Sequence, residues 1–360
     1  MRVHNEGDRD PFDQETCRRI ILESRELVRR AIEFDRPPRL PFFLGDFWGE
    51  RLLSQRAGLA NDVCDCWEMD RQKAGWFFDT AGLDDWGCLW EKTEKNNMGQ
   101  VVGHPLRDWS ALRTYAPPDP RDSFYFVRID EKIRPAGDKY VIVTCHFNLI
   151  ERLHMLHGFV ETMVDFYEES GKIETLLDMI LDFKIAQLDE LARRIPDRIH
   201  GVFLTDDWGT QRGPFVSPAL FKTFFRRRYD TLARAIHGHG WHFFLHSCGR
   251  VNELVPSFID AGVDVLNLQQ PRAYGIEELG ARFAGKTCFL TTVDIQTTLP
   301  QGKADAVQQE AADLVANWST SEGGFIVFNY GDAEAIGTTD AITEIMFKAF
   351  FDLAHYWTAS

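Results

Sequence analysis

The residues best suited to chemistry fall in one short stretch, Trp241 to Gly249 (WHFFLHSCG). Large apolar side chains lead into His246 and Cys248, two positions apart, and a glycine closes the run. Imidazole and thiolate both suit Zn²⁺, which would activate a bound thiol or polarise an oxygen. The same pair also reads as a hydrogen-bonded strand-end histidine beside an inert cysteine, and spacing alone leaves both readings open. A second cluster, Asp206-Asp207, follows the apolar run GVFLT. One carboxylate there could act as general acid/base or hold a substrate group, while the other caps the next segment.

Other apolar runs end in polar residues in the same way. YVIVTC ends in His146, VDVLN in Asn267 and Gln269, TCFLTTV in Asp294, GGFIVF in Asn329 and Tyr330, and LPFFLGDF in Asp46. Phe47, Trp48 and Trp208 would wall a common cavity, with Gln211 on the segment after Trp208. The candidate catalytic residues are therefore Asp206, Asp207 and His246. The candidate substrate-binding residues are Phe47, Trp48, His146, Trp208, Gln211, Asn267, Gln269, Asp294 and Asn329. His246 and Cys248 are the candidate metal ligands. Cys64-x-Cys66 falls in a stretch that reads as helical and lacks partner ligands, so chance accounts for it. Cys288 opens its strand and belongs at the opposite end from the site. The Arg226-Arg227-Arg228 run reads as a solvated helix face.

What must position these residues is a repeated unit of apolar strand and amphipathic helix. Near-continuous apolar runs mark strands buried on both faces, as in parallel sheets. Seven such strands are assigned, and an eighth is expected between residues 60 and 85. Helical periodicity covers Phe12 to Phe34, 50–82, 159–195 with a break near Ser170-Gly171, Ser217 to His237, Val251 to Ala261, Ile276 to Phe283 and Ala304 to Trp318. Two short runs, Trp86 to Trp90 and Gly99 to Val102, flank a polar KTEKNN connector and predict a β-hairpin. Alternation of this kind gives right-handed crossovers and a (β/α)8 TIM barrel, whose active site lies at the carboxyl ends of the strands. The expected arrangement is one α/β domain over 1–360, with an N-terminal helical extension, a hairpin insertion and loose residues 1–12.

Composition narrows the function classes. A formal charge of -15 argues against nucleic acid and against an anionic membrane surface. No run of about 18 apolar residues predicts a membrane span. The seven scattered cysteines suit reduced thiols and a cytoplasmic setting.

Several segments resemble the uroporphyrinogen decarboxylase superfamily, in particular its cobalamin-dependent methyltransferase-like branch. They are AIEFDRPPRLP, WGCLWEKTEKNNMGQVVGHPLRDW, DDWGTQRGPFVSP, FLHSCGRVNELVPSFIDAGVDVLN and VDIQTTLPQG, within roughly residues 25 to 350. The resemblance implies a (β/α)8 barrel. Decarboxylases of the superfamily carry an arginine-rich segment after the first strand, where this sequence has FFLGDFWGER. That departure implies a different substrate, because an acidic mouth would repel a polycarboxylate. In the methyltransferase branch His246 and Cys248 match two zinc ligands, and the third is a cysteine of the last strand. Here that strand reads GGFIVFNYGD without cysteine. A third ligand would have to come from Asp206, Asn329 or Cys288, or the site is lost.

The function so implied is methyl transfer between a small methylated substrate, such as an aryl ether, and a separate protein carrying methylcobalamin. Zinc would be the Lewis acid, and no corrinoid-binding segment is expected in the chain. Two other readings stand beside it: a metal-free decarboxylase or lyase of a small or aromatic acid using Asp206, Asp207 and His146, and a non-catalytic ligand-binding barrel. A homodimer through the outer helices is an open arrangement that no apolar patch in the sequence marks.

Overall fold

The computed structural model describes residues 23–45, 61–66, 81–92, 99–331 and 333–354. Eight parallel strands form the central sheet: β1 (Phe42–Phe43), β2 (Val63–Cys66), β6 (Tyr140–Cys145), β7 (Gly201–Thr205), β8 (His242–His246), β9 (Val265–Asn267), β10 (Cys288–Thr291) and β11 (Phe325–Phe328). Their order is β1-β11-β10-β9-β8-β7-β6-β2, so neighbours in sequence are neighbours in space apart from the two ends. The intervening β3 (Ala81–Leu83), β4 (Leu89–Glu91) and β5 (Gln100–Gly103) form a separate antiparallel sheet. This is the α/β barrel expected from the alternating pattern, with helices between the strands and an antiparallel insertion.

Closure between β1 and β2 runs largely through one buried side chain. The Asp62 N–H donates to the Phe42 carbonyl at 2.8 Å, and the Phe42 N–H donates to Asp62 Oδ2 at 2.9 Å. Arg39 grips both carboxylate oxygens at 2.7 Å, a charge-assisted fork stronger than a neutral bond. One residue earlier, Asn61 Oδ1 accepts the Leu44 N–H at 3.1 Å.

Alternate strand residues point inward. Tyr140, Ile142, Phe203, Phe244 and Leu290 fill the lumen, and helix Ser24–Glu33 plugs its amino-terminal end with Val28, Ala31 and Ile32. Each fully buried large apolar side chain contributes about 1.5–3 kcal/mol. That filled layer leaves the opposite end, at the strands' carboxyl termini, for chemistry. The other strand face packs on helices in a second, larger apolar cluster.

Several sequence expectations are corrected. The stretch 50–82 is not uniformly helical, because Val63–Cys66 is the eighth strand, and Cys64 and Cys66 sit on it, buried. Their thiols face the Lys132 and Ile129 carbonyls under helix Ile129–Ile133, with no other ligand side chain completing a metal group there among the described residues. The hairpin has a third strand. The 217–237 helix breaks at Phe225 into Pro218–Phe224 and Arg226–Gly238, and the 251–261 helix shortens to Val255–Asp260. Arg228 of the arginine run is buried, donating to Asp178 and to the Phe224 and Glu174 carbonyls, so that face is not wholly solvated. Helix Leu149–His157 was not anticipated. Residues 1–12 and the start of the first helix lie outside the described residues.

The insertion is fastened by Asp84, buried at its base. Its carboxylate accepts the Trp86 and Cys88 N–H groups at 3.0 and 2.8 Å, Trp90 Nε1 at 3.0 Å and Arg152 Nη1 at 2.9 Å. Arg152 lies over the Trp86 and Phe147 rings. Removing one member of a buried ion pair strands the other charge and costs about 3–5 kcal/mol. Asp84→Leu is therefore expected to lower the urea midpoint strongly, and Asp84→Leu/Arg152→Met to recover part of the loss. An additive double mutant would count against coupling through this pair.

Candidate metal centre

Phe244 points into the lumen, so His246, two residues on, points the same way one layer higher. Strand register sets Thr205 and Asn267 on either side of it. Asn267 Nδ2 donates to the Leu290 carbonyl at 2.9 Å, which turns Oδ1 toward His246 Nδ1 at 2.7 Å. An amide oxygen can only accept, so Nδ1 carries the proton and Nε2 presents its lone pair. Nε2 lies 3.3 Å from Cys248 Sγ and 3.5 Å from Asp207 Oδ1. One ligand atom from each of Asp207, His246 and Cys248 falls within 4.8 Å of the others.

The two loops that supply these groups are stitched together. Cys248 N–H donates to Asp207 Oδ1 at 2.7 Å, Trp208 N–H to Ser247 Oγ at 3.0 Å, and Arg250 N–H to the Thr210 carbonyl at 2.7 Å. Gly249, at φ +77, approaches Gly209 so closely that a Cβ would stand 2.2 Å from the Gly209 carbonyl. Only glycine fits there, both for its backbone conformation and for space.

The adjacent acids part company. Asp206 turns outward, accepting the Glu151 N–H at 3.0 Å and the Tyr229 hydroxyl at 2.5 Å. The third member of the candidate metal group is thus Asp207, not Asp206, Asn329 or Cys288. Cys288 opens β10 among the lumen residues at the plugged end. Burial pushes the Asp206 carboxyl from its ordinary 3.8 up to about 7. Over that interval the folded chain holds the proton and the unfolded chain does not. Stability from this group is full below 3.8 and falls as pH rises to about 7. Unfolding of Asp206→Asn at pH 4 and pH 7 should lack this share of the wild-type decline, and an identical decline would refute the assignment.

Of the other expected site residues, Gln269 lies against the His246 ring, with Nε2 3.4 Å from Nδ1 and 2.7 Å from Asn267 Oδ1. His146 follows β6, and its imidazole is pulled down to about 3 by burial, then by Lys184 and His246. Trp208 does not wall the site but packs against Phe221 and Phe225 beneath the helices, donating to Tyr229. Asp294 is occupied by its own loop and the helix Pro271–Tyr274: Oδ1 accepts the Gln296 and Thr297 N–H groups and the Thr297 hydroxyl, and Oδ2 the Arg272 N–H. Asn329 bonds the Leu44 carbonyl at the β11–β1 seam, at 3.1 Å. Gln211 reaches Gln270 at 3.3 Å on the rim. Asp46, Phe47 and Trp48 lie outside the described residues.

Two acids were missed. Glu151, in the first turn of Leu149–His157, is buried and accepts the Thr205 hydroxyl at 2.8 Å. Burial, then Asp207 and Asp206, holds its carboxyl well above the usual range. Its signal in the sequence is a charged pair, Glu151-Arg152, enclosed by apolar residues. Asp65, on the lumen face of β2, accepts the Thr144 hydroxyl at 2.7 Å. The Cys248 thiol is pushed up by burial, then by Asp207 and Glu151, so a bound cation is what would favour its thiolate.

The family model for uroporphyrinogen decarboxylase (URO-D) matches residues 94–351. The chain belongs to the uroporphyrinogen decarboxylase family. Among solved structures, a methyltransferase from Methanosarcina mazei is similar, with a TM-score of 0.64 over 92% of this chain and 99% of that chain. At 15% identity, that likeness is one of fold. No curated protein matches the chain. Among the described residues, no helix of this family member is long and apolar enough to cross a membrane.

Proposed function

We propose that this chain is a metal-dependent methyltransferase that moves a methyl group between a small methylated substrate and a separate corrinoid protein. The observation that carries the reading is the convergence of Asp207, His246 and Cys248 at the rim of the barrel. Nitrogen, sulfur and carboxylate oxygen form a donor set that fits Zn²⁺, and three protein ligands are the number that catalytic zinc sites use. The likeness in fold to a solved methyltransferase supports the same reaction class.

When bound, the ion would supply Lewis-acid polarisation of the heteroatom that carries or receives the methyl group. The chain's own residues do the rest. Asn267 fixes the His246 tautomer, and the Gly209–Gly249 contact fixes Asp207 against Cys248. Loss of the methyl group leaves the heteroatom with an electron pair, and Glu151, whose carboxyl is held above its usual range and bonded to Thr205, would supply the proton. His146 stays a neutral imidazole at working pH and serves as a polar wall. Methylcobalamin would be held by the partner protein.

The test is metal analysis of protein purified without chelators, followed by methyl exchange between methylcobalamin and a panel of aryl methyl ethers and thiols. About one zinc per chain and exchange that stops on chelation are expected. Metal-free protein with undiminished exchange would overturn the mechanism. Carbon dioxide release from an aromatic acid without corrinoid would instead favour a decarboxylase.

A further inference from the structure

The Gln269 side chain is 7% exposed, yet its Oε1 accepts no hydrogen bond from the protein. Most buried polar atoms have partners, so an orphan at a reactive site calls for an explanation. Its orientation follows from its neighbours. The Leu290 carbonyl fixes the Asn267 amide, so Asn267 Oδ1 faces Gln269 Nε2 at 2.7 Å. A flipped Gln269 would set two oxygens against each other, which leaves Oε1 as the free end. Two neighbouring acceptors, by contrast, have donors: Asp207 Oδ1 takes the Cys248 N–H and Glu151 Oε2 the Thr205 hydroxyl.

We propose that Gln269 Oε1 accepts a hydrogen bond from an O–H or N–H on the substrate, close to the heteroatom that carries or receives the methyl group. This rests on the metal-centre reading above and names a substrate class for it: small thiols, alcohols or amines bearing a second donor group. Substrates lacking that donor leave a buried carbonyl unpaired, which sites of this kind reject.

The probes are 2-mercaptoethanol and its O-methyl ether, 2-methoxyethanethiol, titrated into cobalt(II)-loaded protein. Binding is read from the rise in the thiolate-to-cobalt charge-transfer band above the level that Cys248 alone gives. Wild-type protein is expected to bind the hydroxyl form roughly 10-fold tighter. Gln269→Leu, and independently Gln269→Met, should keep the band and lose the preference. Equal affinities in the wild type overturn the proposal, as does a preference that survives in both variants, since that reflects size alone. Cobalt(II)-loaded protein with no such band before thiol is added overturns the metal reading itself, and a Cys248 band that neither thiol raises overturns this proposal alone.

Discussion

Replacing His246 with alanine is expected to reduce zinc affinity by more than about 100-fold while the chain stays folded. Substitution of an outer-shell partner of a metal ligand typically costs about 10–100-fold, so loss of a ligand itself should exceed that. His246 contributes the nitrogen whose lone pair faces Cys248 at 3.3 Å and Asp207 at 3.5 Å, and no other imidazole joins that group among the described residues. Asn267→Ala gives the graded control. It removes the acceptor at 2.7 Å that sets the tautomer without touching the ligand atoms, so its loss should fall inside the 10–100-fold range. Competition with a chromophoric chelator measures both variants. Equal zinc affinity in wild type and His246→Ala would remove the metal centre from consideration.

The second large effect is steric. Gly249→Ala places a methyl group 2.2 Å from the Gly209 carbonyl carbon and oxygen, at φ +77. The left-handed conformation costs about 1–2 kcal/mol and the forced loop displacement about 1–3 kcal/mol more, a total near 3 kcal/mol. The displaced backbone is the one that carries Cys248 and donates to Asp207. Urea unfolding should therefore show the stability loss, and metal content should fall although no ligand has changed. Gly213→Ala, where an added Cβ meets nothing within 4 Å, should do neither.

What could be read in advance depended on how far a signal is local. YVIVTC and HFFLH declare themselves because strands buried on both faces are continuous apolar runs, and both are strands in the fold. VCDC does not: it is four residues long and its lumen face carries Asp65, so it merges with flanking sequence of helical appearance. His246 and Cys248 stand out at a strand tip. The choice between Asp206 and Asp207 does not, because adjacent residues leave a strand on opposite sides and only the register shows which one turns inward. Glu151 was hidden with the helix that bears it. Trp208 and Asp294 have ordinary site-like character in sequence, and only packing shows that one fills the helix layer and the other closes its own loop.

The pairing of β1 with β11 also dictates an order of assembly. Strands β6 to β10 each find a neighbour within a short span of chain, whereas Phe42–Phe43 must wait for residues beyond 324 to leave the ribosome. Until then β10 presents unpaired backbone groups at an open margin, the kind of template on which nascent chains join one another. A nonsense change or proteolytic cut just ahead of Phe325 should thus give insoluble material rather than a smaller working enzyme.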